Sequence, residues 1–197
     1  MGSDLNRSGG GWSLEVNRPY SWAWADTFTA DECDRIIELA HFDMTEATTF
    51  GGVTDYRQSS VRFLYPSPAT GWMFRRITGI VVAVNNQHFG FDLTGMIEGL
   101  QFTRYKPPAG HYDWHCDMAP DKAPRKLSLT IQLSDPDGYT GGDLELAAGG
   151  GNSDVEVVGR ERGRAFLFPS WMPHRVTPVT EGVRYSLVAW ITGPLFR

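Results

Sequence analysis

From residue 98 onward the chain is a succession of short, β-prone segments closed by turn residues, and this spacing limits its fold more than any other feature. The segments cover 98–105, 112–117, 126–134, 143–147, 155–158, 165–169, 174–179 and 184–191. Between them stand Pro107-Pro108, Asp135-Pro136-Asp137-Gly138, Gly141-Gly142, Gly149-Gly150-Gly151 and Glu181-Gly182, residues that fix φ, supply positive φ or fold back on their own backbone. About eight strands at such intervals predict a double-sheet jelly roll or barrel.

The first half of the chain has a different period. After an aromatic patch at 19–25, the stretch 28–40 carries helix signals. Thr29 can cap it, Asp31 and Glu32 fill the first turn, and Cys33, Ile36, Ile37 and Ala40 make one apolar stripe. Residues 47–65 read as short strand-like pieces broken by Gly51-Gly52, the clearest being 60–65, ended by Pro66 and Pro68. A second helix is predicted over 71–86, with Trp72, Ile77, Ile80, Val81 and Val84 at spacings of three and four. The expected fold class is therefore mainly β, with N-terminal α-helices bracing one sheet. No linker or repeat divides the chain, so residues 13–197 are expected to form one domain with its strand-rich core at about 98–197. Residues 1–12, rich in Gly, Ser and Asn, are expected to be a flexible lead-in.

Composition excludes some classes of function. A net charge of -5 opposes a sequence-independent grip on nucleic acid, which needs a concentrated basic surface. No run approaches the ~20 apolar residues that cross a bilayer, and no signal-peptide layout opens the chain, so neither membrane nor nucleic-acid partners are expected and the location is expected to be cytoplasmic. The two cysteines, Cys33 and Cys116, lack the paired spacing of a zinc or redox motif and are read as reduced. Strand alternation turns Cys116 away from its neighbours His115 and Asp117, as a small buried apolar group.

Those neighbours carry the chemistry. In an extended strand, His115 and Asp117 present their side chains on one face, and a distant His174 can complete a three-ligand facial site. His115 and Asp117 open the strand series and His174 sits near its close, which a jelly roll brings to one cavity mouth. Two imidazoles and a carboxylate without a thiolate suit iron(II), although catalytic zinc with a bound water is chemically possible. Arg184, on the strand after His174, can reach the same cavity and pair with a carboxylate, which zinc hydrolysis does not require. The remaining histidines lack ligand spacing. His41 follows the first helix and can serve its C-terminal end, His88 falls in a loop, and His111 lies in a turn near the expected cavity rim.

The sequence resembles the iron(II)- and 2-oxoglutarate-dependent dioxygenases, in particular their prolyl-4-hydroxylase-like branch. The likeness is carried by Gln101-Phe102-Thr103-Arg104-Tyr105, the run from His111 to Asp117, Leu127 to Leu133, Gly141-Gly142-Asp143-Leu144, Phe168 to His174 and Arg184-Tyr185-Ser186-Leu187. It implies a double-stranded β-helix, the cupin-like form of the jelly roll, with iron(II) held by His115, Asp117 and His174. It further implies 2-oxoglutarate as cosubstrate with dioxygen, its C5 carboxylate on Arg184 and Tyr105 in support. The implied activity is hydroxylation of an unactivated C–H bond with release of succinate and carbon dioxide. The prime substrate would be a peptide or a small molecule, a prolyl or other amino-acid residue or a metabolite.

Gln132 stands where relatives often carry a tyrosine near that carboxylate, and Arg184 replaces the lysine of many collagen-type enzymes, which argues against copying their substrate. Ser186 shares the strand face of Arg184. Trp114, Trp171 and Met172 suit core packing or, for Trp171, a substrate wall, and Arg57 or Arg62 suits either an acidic substrate group or an apolar surface. Two other classes remain compatible with the residues alone: a metal-binding jelly-roll sensor or carbohydrate-binding module, and a cupin-type metal hydrolase or isomerase.

Overall fold

A computed structural model describes residues 21–47, 55–118, 124–148 and 155–194. The expected lead-in at 1–12, the start of the aromatic patch, the Gly51-Gly52 break and the Gly149-Gly150-Gly151 turn lie outside these residues. In chain order the elements are β1 (Ala23–Asp26), α1 (Ala30–Ala40), β2 (Thr45–Glu46), β3 (Arg57–Gln58), β4 (Ser60–Leu64), α2 (Gly71–Val84) and a π-helical turn (Asn85–Phe89). There follow β5 (Leu100–Tyr105), β6 (Gly110–His115), β7 (Arg125–Gln132), a 3-10 turn (Pro136–Gly138), β8 (Tyr139–Gly141), β9 (Leu144–Ala147), β10 (Val155–Val157), β11 (Arg164–Pro169), β12 (His174–Gly182) and β13 (Arg184–Thr192).

The strands form two antiparallel sheets. The larger has the order β1-β11-β7-β13-β5-β4-β2, and the smaller β10-β9-β12-β6-β3 with β8 also paired to β12. This mainly β, double-stranded architecture agrees with the strand spacing. The aromatic patch, by contrast, contains an unexpected strand, β1, which pairs with β11 at the edge of the larger sheet.

Alternation along β7 and β13 explains how one sheet serves two purposes. Leu127, Leu129 and Ile131 of β7 and Leu187, Ala189 and Ile191 of β13 face the helices, packing with Cys33, Ile36 and Ala40 of α1 and Met73, Ile77 and Val81 of α2. The intervening Ser128, Thr130, Gln132, Arg184 and Ser186 are buried as well, on the face toward the smaller sheet. A second apolar cluster between the sheets includes Leu144, Leu146, Phe168, Met172 and Val176. The helices therefore brace the sheet from behind and leave its other face for polar groups.

Helix α1 forms as its sequence dictates. Thr29 Oγ1 accepts from the Glu32 amide, and Glu32 Oε2 accepts from the Thr29 amide, a reciprocal capping box. At the far end His41 lies within hydrogen-bonding distance of the Ile37 carbonyl through Nδ1, and Arg62 donates to the carbonyls of Leu39 and Phe42. Arg62 thus closes the helix end rather than meeting substrate. His88 sits in the π-helical turn, not a loop, with Nε2 3.0 Å from Ser21 Oγ. Asn85 clamps that turn to both backbone groups of Phe91, and Gly90 at φ +66° ends it.

Leu129 is fully buried between β7 and the helices. Leu129→Ala is expected to destabilise the protein by about 2–5 kcal/mol, through lost transfer energy and a residual cavity, as read from urea unfolding midpoints.

Candidate metal centre

The site begins with a register. β12 pairs with β6 so that His174 lies opposite His115, and the two rings come within 4.1 Å of each other between centroids. From His174 to Val176 is two residues, whereas the partners His115 and Tyr112 are three apart, so β6 carries a bulge. The extra residue rotates Tyr112 onto the face of His115, and the rings stack at 3.5 Å with an interplanar angle of 15°.

Asp117 arrives differently from the expectation. β6 ends at His115, so strand alternation does not place the carboxylate. The amides of Asp117 and Met118 instead both donate to the Ser170 carbonyl, each at 2.9 Å, and Arg125 Nη1 donates to the Asp117 carbonyl at 3.2 Å. Ser128 Oγ donates to Asp117 Oδ2 at 2.7 Å and lies 2.9 Å from Ser170 Oγ. Arg125 is itself held by Glu98, with 2.7 Å from Nε to Oε1, and stacks on Trp190.

One ligand atom each from His115, Asp117 and His174 lies within 4.8 Å of the others, a set that could hold a metal ion. His115 Nδ1 is 2.7 Å from the Asp113 carbonyl, and His174 Nδ1 is 3.0 Å from that of Met172. Both contacts assign the hydrogen to Nδ1 and leave the Nε2 lone pairs facing Asp117. Burial, with the nearby His174, pushes the His115 imidazolium down to about 3, so the ring is neutral and able to ligate at physiological pH. Burial opposes a charge on Asp117, but the facing imidazoles and the Ser128 hydroxyl outweigh it and keep the carboxyl below its usual range.

The three side chains open on a cavity of about 130 Å³ whose walls include Tyr105, Tyr112, Leu144, Val176, Arg184 and Ser186. Arg184 is fully buried. Its Nη2 donates to Gln132 Oε1 at 2.9 Å, its guanidinium lies 5.3 Å from the Tyr105 ring, and its Nε and Nη1 have no partner. Ser186 Oγ is likewise buried and unpartnered. Gly142, at φ +66°, lets the β8–β9 turn lie against this group, since a Cβ there would meet Val179 at 2.8 Å and the Arg184 stem at 3.0 Å.

Sequence residues 100–192 match the family described as the 2OG-Fe(II) oxygenase superfamily. This segment, just under half of the chain, is similar to that superfamily. The chain is 42% identical over 88 residues to a PKHD-type hydroxylase of Teredinibacter turnerae, covering 42% of this chain and 38% of that protein. It is 31% identical over 127 residues to a PKHD-type hydroxylase of Polaromonas sp., covering 59% and 55%. The chain thus spans between about two fifths and just over half of the length of these curated relatives.

Solved structures share its fold. A prolyl-4-hydroxylase of Pseudomonas putida superposes with a TM-score of 0.67 at 22% identity over 88% of this chain and 93% of its own. A Trichoplax adhaerens prolyl hydroxylase, in complex with a hypoxia inducible factor oxygen degradation domain peptide fragment, gives 0.71 at 17% identity over 87% and 83%.

Of the expected site residues, His115, Asp117, His174, Tyr105 and Arg184 line one cavity, and Gln132 bonds Arg184 from behind it. Trp114 lies under Arg175, Trp171 packs on Phe91, and Met172 is core. His111, expected at the rim, is a strand residue whose ring nitrogens lie 2.7 Å and 2.9 Å from the carbonyls of Ala109 and Asp55. Ser128, Ser170, Arg125 and Glu98 were not anticipated. Ser128 was legible in the alternation of 126–134, but the Glu98 partner had no local signal.

Cys116, expected to be buried, is exposed, with its thiol donating to the Trp171 carbonyl at 3.1 Å, because the chain leaves the sheet at this point. Cys33 is buried, and that burial pushes its thiol up to about 11. At pH 8 a disulfide reagent is expected to titrate one thiol in the native protein, a reaction lost in Cys116→Ser, and both only after denaturation.

Proposed function

We propose that residues 13–197 act as one iron(II)- and 2-oxoglutarate-dependent hydroxylase domain, with its catalytic core at about 98–197. The observation that carries this reading is one cavity holding three convergent ligand atoms and a fully buried guanidinium with two unpartnered nitrogens. A buried charge left unsatisfied is costly, so its retention is explained by an anion that completes it. A purely structural metal site or a sugar-binding module leaves that guanidinium without a purpose.

The donor set fits the groups implied. His115, Asp117 and His174 would bind iron(II), the choice favoured by two neutral imidazoles and a carboxylate with no thiolate. Arg184 and Ser186 would take the C5 carboxylate of 2-oxoglutarate, with Gln132 orienting the guanidinium and Tyr105 walling the pocket. When bound with dioxygen, these groups supply an oxidant able to hydroxylate an unactivated C–H bond, with succinate and carbon dioxide as coproducts.

The protein's share is orientation and exclusion of water. The Nδ1–H bonds to Asp113 and Met172 fix both rings, and the Ser128 hydroxyl holds one carboxylate oxygen of Asp117. Leu144, Val176 and Val188 line the remaining wall with apolar surface. The names of the structural neighbours, prolyl hydroxylases of which one holds a peptide fragment, support a prolyl residue in a peptide as substrate, and the same site chemistry suits another amino-acid residue or a small metabolite. The two free thiols accord with a reducing, cytoplasmic setting, and no helix among the described residues is long and apolar enough to cross a membrane.

Anaerobic addition of iron(II) and 2-oxoglutarate is expected to produce the visible charge-transfer band of the chelate. Arg184→Ala should weaken 2-oxoglutarate binding by about 10–100-fold, the worth of hydrogen bonds to a buried charge. A parent without the band, or a variant that binds equally tightly, overturns the assignment. Ser128→Ala should lower cobalt(II) affinity, followed by its visible spectrum, by about 10–100-fold, with Ser128→Thr close to the parent.

A further inference from the structure

Arg57, Arg125 and Arg184 all line the cavity, and neither the metal nor the cosubstrate accounts for Arg57. It lies on β3, directly opposite Tyr112 of β6, so the two side chains share a face. Its guanidinium sits 4.5 Å from the Tyr112 ring, and Tyr112 stacks in turn on His115, so one aromatic ring stands between this charge and a ligand imidazole. Nε donates to Ser59 Oγ at 2.8 Å, whereas Nη2 is buried without a partner.

The other charges in the cavity are already engaged. Arg125 is neutralised by Glu98, Arg184 is bound to Gln132 and reserved for the cosubstrate, and Asp117 belongs to the metal set. Among the described residues lining the cavity, Asp117 is the sole carboxylate, and it faces the imidazoles. Arg57 is therefore held in place by a stacked ring and a hydroxyl, with charge and N–H groups unspent. That arrangement is how a preorganised guanidinium receives a planar anion.

We infer that Arg57 is a specificity-determining residue that binds a carboxylate of the prime substrate, so that the substrate class is an organic acid whose carboxylate lies close to the oxidised carbon. Free amino acids, related small acids and a peptide's terminal carboxylate meet this requirement. An internal peptide residue with uncharged flanks does not. The inference deepens the proposed function and rests on it, since the Arg184 pocket must be filled by 2-oxoglutarate for Arg57 to be left to the substrate.

The smallest probe is propionate, with propionamide as its uncharged match. The protein is loaded with zinc(II) and N-oxalylglycine, which occupy the metal and Arg184 positions without turnover. Arginine side-chain NMR signals are then followed, the Arg57 resonance being assigned by its loss in Arg57→Gln. Propionate is expected to shift that resonance saturably and propionamide to bind at least about tenfold more weakly. Arg57→Lys should keep the preference for the acid, and in Arg57→Gln the two probes should bind alike.

The iron(II) and 2-oxoglutarate band of Arg57→Gln should match the parent, showing an intact fold and cosubstrate pocket. If the parent shows the band but propionate causes no saturable shift, or binds no better than propionamide, this inference fails and the proposed function stands. If the parent shows no band, both fall.

Discussion

The pairing of His174 with His115 across two antiparallel strands is the constraint on which the rest of the site depends. A one-residue slip between β12 and β6 would send one imidazole to the opposite face, because side-chain direction repeats every two residues. The bulge on β6 then sets Tyr112 over His115 and, through the cross-strand pair with β3, brings Arg57 to the same wall. A single irregularity in one ladder thus aligns a ligand, an aromatic ring and a cation.

Burial is used asymmetrically on the larger sheet. Its back face is closed by leucines and isoleucines against two helices, and that packing supplies the rigidity with which the front face holds Ser128, Gln132, Arg184 and Ser186 out of bulk water. In such surroundings a guanidinium with open N–H groups interacts strongly with an anion, and unfilled it weakens the fold. The same physics applies at Asp117, where the Ser128 hydroxyl offsets part of the cost of a buried carboxylate.

Much of this was legible beforehand. The strands at 98–105, 126–134, 165–169 and 184–191 agree with β5, β7, β11 and β13 to within a few residues, since their alternation and bounding turns are local properties. So is the Thr29 cap. The four residues of strongest chemical signal, His115, Asp117, His174 and Arg184, do converge on one cavity. What could not be read locally was β1, an edge strand stabilised by β11 far along the chain, and the exposure of Cys116 where the chain leaves the sheet.

The sequence by itself determined the strand series, the two bracing helices and the identity of the candidate ligand set, because periodicity, capping and donor type are written in neighbouring residues. Tertiary structure alone decided how Asp117 reaches the imidazoles, through amides that donate to Ser170 and a hydroxyl from β7, and which of Arg57 and Arg62 faces the cavity. Those outcomes depend on contacts between residues distant in sequence. The register and bulge that bring such residues together are selected by the packing of whole sheets.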